Sequence, residues 1–150
     1  MADICAIYTL AGLTFNAAAP TDTYVITEIT GLDGAPIRAP IDNAPQDDGG
    51  IVFPNFFLGP RHVTIEGFFG VRSVDYGMDK SGYVAAQNTL ESALLSALDG
   101  IRNSDGTLSW STHSLTVRHD SPCMTSQGQR GSAFERRFIF GVVAANPVIT

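Results

Sequence analysis

Strict alternation of apolar and polar side chains is the feature that most constrains the fold of this sequence. In RHVTIEGFFG, residues 61–70, Val63, Ile65 and Phe69 share one side while the residues between them share the other. In AFERRFIFGVV, residues 133–143, the phenylalanines also fall on one side. Because successive side chains of a β-strand point to opposite faces, both stretches are predicted to be strands with one buried face.

Shorter stretches repeat this alternation. In YVITEIT, Val25 and Ile29 are predicted on one face, and Tyr24, Ile26 and Glu28 on the other. A hairpin is predicted later in the chain, with its turn at residues 112–113. The remaining strand predictions cover residues 4–10, 107–112 and 114–119.

One α-helix is predicted between Ser81, which is suited to cap its first turn, and Gly100, which stops it. Asn88, Glu91 and Ser92 are predicted to face outward. A single buried stripe at helical spacing is predicted to comprise Tyr83, Ala86, Gln87, Leu90, Leu94, Ala97 and Leu98.

The segments between these elements are rich in Gly, Pro, Asn and Asp. Residues 31–50 are predicted to form an extended loop, and SPCMTSQGQRGS, residues 121–132, a polar loop. Gly67 inside a strand marks a bulge or a close backbone approach. The predicted fold class is mainly β: a β-sandwich or barrel-like domain with one flanking α-helix that covers a sheet face or edge.

An aromatic cluster precedes the Gly59-Pro60 break in DDGGIVFPNFFLGP, residues 47–60. We interpret it as a loop or hairpin that is buried by a neighbouring copy of the chain, the alternative being an ordinary part of the core. On the first interpretation, Phe56→Asp or Phe57→Asp weakens assembly more than folding. The predicted oligomer-interface residues in this segment are Val52, Phe53, Phe56, Phe57 and Leu58.

Two arginines complete the predicted interface. Arg61 opens a strand and is predicted to pair with a carboxylate, either at the start of that strand or in a neighbouring copy. Arg136 falls on the phenylalanine side of its strand, so it is predicted to lie at the strand end or in an interface.

Length and composition favour a single globular domain of 150 residues with a net charge of −6. The negative charge disfavours gripping of a nucleic-acid backbone, which depends on Lys and Arg. Cys5 and Cys123 are interpreted as reduced, partly buried thiols. Neither a membrane span nor a cleaved signal is expected, because no run of 18 apolar residues occurs and the first basic residue is Arg38.

The motifs of catalysis are weak. The pair His119-Asp120 lacks a nucleophile-elbow sequence, and the spacing of His113, His119 and Cys123 matches no common zinc pattern. GMDKSG, residues 77–82, lacks the first glycine of a phosphate-binding loop. The sequence therefore predicts no enzyme, no catalytic residues, no cofactor and no metal.

Several motifs follow one another in the order found in a known family. They are YVITEITGLDGAPIRAP, then GPRHVTIEGFFG, the helix, and FERRFIFGVVAANP, which closes on Asn146-Pro147. In this order the chain resembles, from Tyr24 to Pro147, the N-terminal domain of distal tail proteins of long-tailed bacteriophages.

The resemblance implies a structural protein of the virion, assembled in the host cytoplasm and located at the phage tail tip. It implies a homo-hexameric ring that joins the tail-tube protein to tail-tip or hub proteins and leaves a lumen through which DNA passes. Residues 1–150 are then one tail-tube-like ring domain, with no C-terminal carbohydrate-binding-like domain. An acidic chain suits a channel that must not hold DNA.

Two alternatives remain open. The chain is either a tail-tube protein proper, since that family shares the fold, or a stand-alone carbohydrate-binding β-sandwich. In the second case Tyr24, Tyr76 and Trp110 would supply stacking faces, although aromatic side chains in strands more often belong to a core.

Overall fold

The computed structural model describes residues 3–18, 24–34, 37–38, 41–42, 51–52, 57–71, 80–127 and 135–150. Within them the protein is mainly β, with one long α-helix, α1, at Lys80–Gly100. The strands are β1 Tyr8–Leu10, β2 Leu13–Phe15, β3 Tyr24–Thr30, β4 Ile37–Arg38, β5 Ile41–Asp42, β6 Ile51–Val52, β7 Phe57–Leu58, β8 Arg61–Gly70, β9 Gly106–Trp110, β10 His113–Gln127 and β11 Glu135–Ala144. Among the described residues, no helix is both long and apolar enough to cross a membrane.

Seven strands form one antiparallel sheet in the order β2-β1-β9-β10-β11-β8-β3. The long strand β10 joins its two halves. Residues His113–Val117 pair with β9, and the residues from Arg118 onward pair with β11. Two register shifts in β10, on either side of Ser121, mark bulges that bend a strand.

Asn16 brings the two ends of the sheet together. Its backbone N–H donates to the Tyr24 carbonyl at 2.9 Å, and its side-chain oxygen accepts from the Ile26 N–H at 2.8 Å. Its amide nitrogen donates to the carbonyls of Ile4 and Ala6 at 2.8 and 3.0 Å. With a φ of 57°, Asn16 adopts the left-handed conformation that asparagine tolerates better than most residues. The sheet is therefore curled and barrel-like, as predicted.

Aromatic side chains from several strands fill the space inside the curled sheet. Phe15 lies 5.7 Å from Tyr24 and 6.0 Å from Phe138 between ring centroids, and Phe69 lies 6.2 Å from Phe138. All four are buried. The alternation predicted for β8 and β11 is thus confirmed.

Helix α1 covers the core face of the sheet. The predicted stripe is confirmed, because its members are all buried or half-buried. Leu94 and Leu98 join the core, and the Tyr24 hydroxyl donates to the Leu90 carbonyl at 2.7 Å. The helix begins at Lys80, one residue before the predicted cap, and its last residue is the predicted Gly100.

A bulge corrects the predicted faces of β3. Thr27 is the extra residue, since Ile26 is opposite Gly67 while Glu28 is opposite Glu66. Ile29, which is then opposite Ile65 of the core face, packs against the same core as Ile26 rather than on the other side. A Cβ on Gly67 would lie 2.0 Å from the Val25 carbonyl oxygen, which confirms the predicted close approach.

The prediction of a loop from Ser121 is wrong as far as Gln127, because those residues continue β10. Pro122 and Cys123 fall between the paired residues Ser121 and Met124. At that bulge the missing N–H of proline leaves no ladder bond unmade. Residues 128–132 of the predicted loop lie outside the described part of the chain.

Two turns also differ from prediction. The hairpin between β9 and β10 turns at Ser111-Thr112, one residue earlier than predicted, with Ser111 at a φ of 50°. At the N-terminus the strand begins at Tyr8 instead of Ile4. It then turns through Ala11-Gly12, both at positive φ, into β2, which the sequence reasoning missed.

Candidate assembly interface

The predicted aromatic interface segment belongs to an antiparallel excursion between β3 and β8. Strand β4 pairs with β7 through Ile37 and Leu58, and β5 pairs with β6 through Ile41 and Val52. We call this excursion, residues 37–58, the arm. Residues 51–52 and 57–58 of the predicted loop or hairpin are thus strands that pair with residues 37–42, and part of the predicted loop at 31–50 is strand.

The described part of the arm includes three of the predicted interface residues. Val52 lies in β6, and Phe57 and Leu58 lie in β7. The Leu58 side chain is 50% exposed. Phe53 and Phe56 lie outside the described residues. Contact of this segment with a neighbouring copy stays a prediction.

Arg61 ties three segments of the chain together where the arm returns to the sheet. Its Nε donates to the Pro147 carbonyl at 3.0 Å, and its Nη1 donates to the carbonyls of Gly31 (2.9 Å) and Asp33. The residue is only 5% exposed. A carboxylate partner was predicted for Arg61, but the partners described are backbone carbonyls. The reason is that the segments beside the start of β8 direct their carbonyl oxygens toward the guanidinium.

Gly31 lets the chain turn tightly beside Arg61. Its φ is +89°, and a Cβ on it would lie 1.9 Å from the His62 carbonyl oxygen. A side chain here would meet both steric strain and the backbone of β8. Gly31 lies in the stretch YVITEITGLDGAPIRAP, but the sequence reasoning assigned it no role, because its close approach to β8 depends on tertiary structure.

Arg136 is buried on the core face, beneath the helix. Its Nη1 pairs with the Glu91 carboxylate, whose other oxygen accepts from the Thr125 hydroxyl at 3.0 Å. The Arg136 Nε and the Gln87 Nε2 are buried without a hydrogen-bond partner. Glu91, which was predicted to face solvent, instead links helix to sheet. These contacts lie within one chain, and an interface role for Arg136 stays a prediction.

Burial also changes the acid–base chemistry beneath the helix. The pKa of the Cys123 thiol is raised to about 11, mainly by burial and further by the nearby Glu91 carboxylate. The pKa of the Tyr24 phenol is raised to about 12 by burial. Cys123 is half-buried, as interpreted, whereas Cys5 is exposed. The raised pKa keeps the Cys123 thiol protonated, and it is therefore not activated as a nucleophile, since the reactive form of cysteine is the thiolate.

The outer face of the sheet, opposite the core, carries a groove of about 660 Å³ across β3, β8, β11 and β10. Its apolar lining includes Phe68, Ile139 and Met124, of which Met124 is 65% exposed. Glu66 of β8 also lines the groove, and it lies directly opposite Glu28 of the neighbouring strand β3. Two like charges in this position destabilise a sheet. This face therefore combines exposed apolar and acidic groups with the basic side chain of Arg137.

The weak catalytic motifs of the sequence are not brought together into a recognisable site. Asp120 pairs with His62, Nδ1 to Oδ2 at 3.1 Å, on the surface. Within the described ranges, no three His, Cys, Asp or Glu side chains are grouped so that they could hold a metal ion. The absence of an enzyme activity remains a prediction from the sequence.

Comparison with solved structures identifies a similar fold. The crystal structure of SPP1 Dit (gp 19.1), a hub adsorption apparatus protein of phages that infect Gram-positive bacteria, aligns with a TM-score of 0.63 and 14% sequence identity. The alignment covers 96% of this chain and 51% of that chain, so this chain spans about half the length of SPP1 Dit. At this identity the likeness establishes a shared fold. No protein-family model and no curated protein sequence matches the chain.

Proposed function

We propose that this chain is a structural protein of a phage tail. It forms a hexameric ring at the distal end of the tail, joins the tail tube to the tail-tip or hub proteins, and leaves a lumen through which DNA passes. The observation that carries the proposal is the similarity of nearly the whole chain to SPP1 Dit, at a TM-score of 0.63. The order of sequence motifs from Tyr24 to Pro147 supports the same assignment independently of the fold comparison.

Surface features of the chain agree with assembly. A closed ring is built by head-to-tail contacts, which require two different complementary patches on each copy. The arm presents the exposed Leu58, and the outer face of the sheet presents the exposed Met124. A net charge of −6 opposes retention of DNA in a lumen.

The proposal is tested by imaging the purified chain, alone at increasing concentration and with the tail proteins encoded beside it. We expect six-fold rings in negative-stain images. Monomers under every condition, including with the tail partners, would overturn the proposal. Long tubes formed by the chain alone would indicate a tail-tube protein instead.

The role of the arm is tested by Phe57→Asp and Leu58→Asp. Both are expected to reduce the fraction of rings while leaving the monomer's melting temperature within a few degrees. Val148→Asp is the matched control, because Val148 is exposed to a similar degree, 52%, but lies outside the arm. A large fall in the monomer melting temperature of the arm variants would show that these residues belong to an ordinary core.

A further inference from the structure

The outward side of helix α1 carries almost no charge. Between Ser81 and Leu98, about five helical turns, the one charged residue is Glu91, and its carboxylate turns inward to Arg136. Charges occur only near the ends of the helix, for example Asp99, whose carboxylate pairs with Arg102 at 3.1 Å. The outward face of a solvated helix normally carries charged side chains.

Two large apolar side chains stand on this neutral side. Val84 and Leu95 are 43% and 41% exposed. They are eleven residues apart, about three turns at ~3.6 residues per turn, so they lie on one line along the helix. The other exposed residues between them are small or uncharged: Ala85, Asn88, Thr89, Ser92 and Ala93. We call this surface, from Val84 to Ser96, the neutral strip.

A recess of about 420 Å³ continues the neutral strip toward the sheet. It lies between the last turns of the helix and β10. Leu95, Pro122 and Cys123 contribute to its lining, and the ion-paired Asp99 and Arg102 line its far end. His119 also lines it, and the Nε2 of this histidine is buried without a hydrogen-bond partner. The strip itself therefore joins two large apolar side chains to a recess, and charged residues, Asp99 and Arg102, appear only where the strip ends.

We infer that the neutral strip is a contact surface for a second copy of this chain. Each copy carries a net charge of −6, so two copies repel one another wherever their charged surfaces approach. The repulsion is smallest where a surface holds no charge, and the strip is such a surface. A basic partner would instead be attracted to acidic groups such as Glu28 and Glu66 on the outer face of the sheet.

The size of the strip decides what kind of contact it makes. A strip about 20 Å long and 10 Å wide offers about 200 Å², which is well below the ~800 Å² per partner of a stable interface. Alone it supports a weak contact. In a ring each copy contacts two neighbours, so the strip adds to other contacts such as those of the arm. The inference rests in this respect on the proposed function and names a second surface for it.

The test compares the concentration at which wild-type and variant chains assemble, measured by light scattering and sedimentation. Val84→Glu and Leu95→Glu each place a carboxylate on the strip. We expect each to raise the concentration for half-assembly by roughly tenfold or more, with an unchanged monomer melting temperature. Leu95→Met and Ser92→Ala keep the strip neutral and are expected to assemble like wild type. Val148→Glu adds the same charge outside the strip.

Two results would overturn the inference. In one, the wild type assembles and both glutamate variants assemble at the same concentration as Val148→Glu, which leaves the proposed function intact. In the other, the wild type remains monomeric alone at every concentration, which removes the second copy as the occupant. The proposed function is contradicted as well if rings also fail to form in the presence of the tail partners. Because the two substitutions lie at opposite ends of the strip, one well-folded variant suffices for the comparison.

Discussion

At the scale of single residues, Gly31 is where the backbone leaves least freedom. We expect Gly31→Ala to lower the free energy of unfolding by about 2 kcal/mol or more, because the new Cβ meets the His62 carbonyl and φ is positive. Gly34→Ala is the matched control: no atom lies within 4 Å of its added Cβ. Urea unfolding of the two variants checks this. Equal small losses would contradict the described turn.

Arg61 is hydrogen-bonded to segments on both sides of it along the chain, at Gly31 and at Pro147. Arg61→Lys keeps the charge but cannot reach the carbonyls of Gly31 and Pro147 with separate fixed N–H groups. We expect a loss of about 2 kcal/mol in the free energy of unfolding, since buried carbonyls lose their donors. Arg118→Lys, at an exposed ion pair with Asp105, should cost less than about 1 kcal/mol. If Arg61→Lys left the free energy of unfolding unchanged, the hydrogen bonds of the buried Arg61 guanidinium would not stabilise the fold.

At the scale of elements, one partly buried ion pair adds to the apolar packing between helix and sheet. Glu91→Gln leaves the buried Arg136 without its counter-charge, so we expect a loss of about 2–3 kcal/mol in thermal or urea unfolding. Asp99→Asn removes an exposed partner from the same helix and should cost less than about 1 kcal/mol. If both substitutions cost the same, the Arg136–Glu91 pair does not hold the helix.

The Tyr24 phenol also joins sheet to helix, and it makes that contact sensitive to alkaline pH. Its pKa is raised from 10.0 to about 12, so the folded state keeps a proton that the unfolded chain loses first. The associated stability is present below pH 10 and is lost as the pH rises toward about 12. We expect urea midpoints to fall over this range, and to fall less for Tyr24→Phe. Identical slopes for the two proteins would contradict the assignment.

The sequence was sufficient for elements whose pattern is local. The alternation in β8 and the helical stripe from Tyr83 to Leu98 are visible in the chain itself, because each depends on a fixed spacing of buried residues. Bulges broke this rule. The extra residue Thr27 places Ile29 on the core side, and the bulge at Pro122 lets a strand continue through a proline that the sequence reasoning took for a loop. Both bulges depend on the register of a partner strand.

The structural setting of the predicted interface residues could be foreseen only in part. Exposure of Leu58 was foreseeable from an aromatic cluster beside Gly59-Pro60, whereas burial of Arg136 against Glu91 depends on how the helix crosses the sheet. The role of Asn16 in closing the sheet was missed as well, because its partners Tyr24 and Ile26 are reached only after folding. Patterns of burial are encoded locally, but polar pairing is decided by tertiary geometry.

At the scale of the whole molecule, the features of the chain agree with a subunit of a larger assembly. Among the described residues, this domain has an uncharged helix face, an exposed leucine in its arm and a groove of apolar and charged side chains on its outer sheet, so apolar groups are exposed on several of its surfaces. The similarity in fold to SPP1 Dit is the reason why we propose that the assembly is a tail ring.

The mass of the assembled particle tests the central claim most directly. Native mass spectrometry of the full chain, with and without its tail partners, is expected to show a species near 96 kDa, six times the 16.0 kDa of one chain. The Leu95→Glu variant should shift that population toward the monomer. A 16.0 kDa monomer as the sole species at every concentration and with every partner would contradict the account.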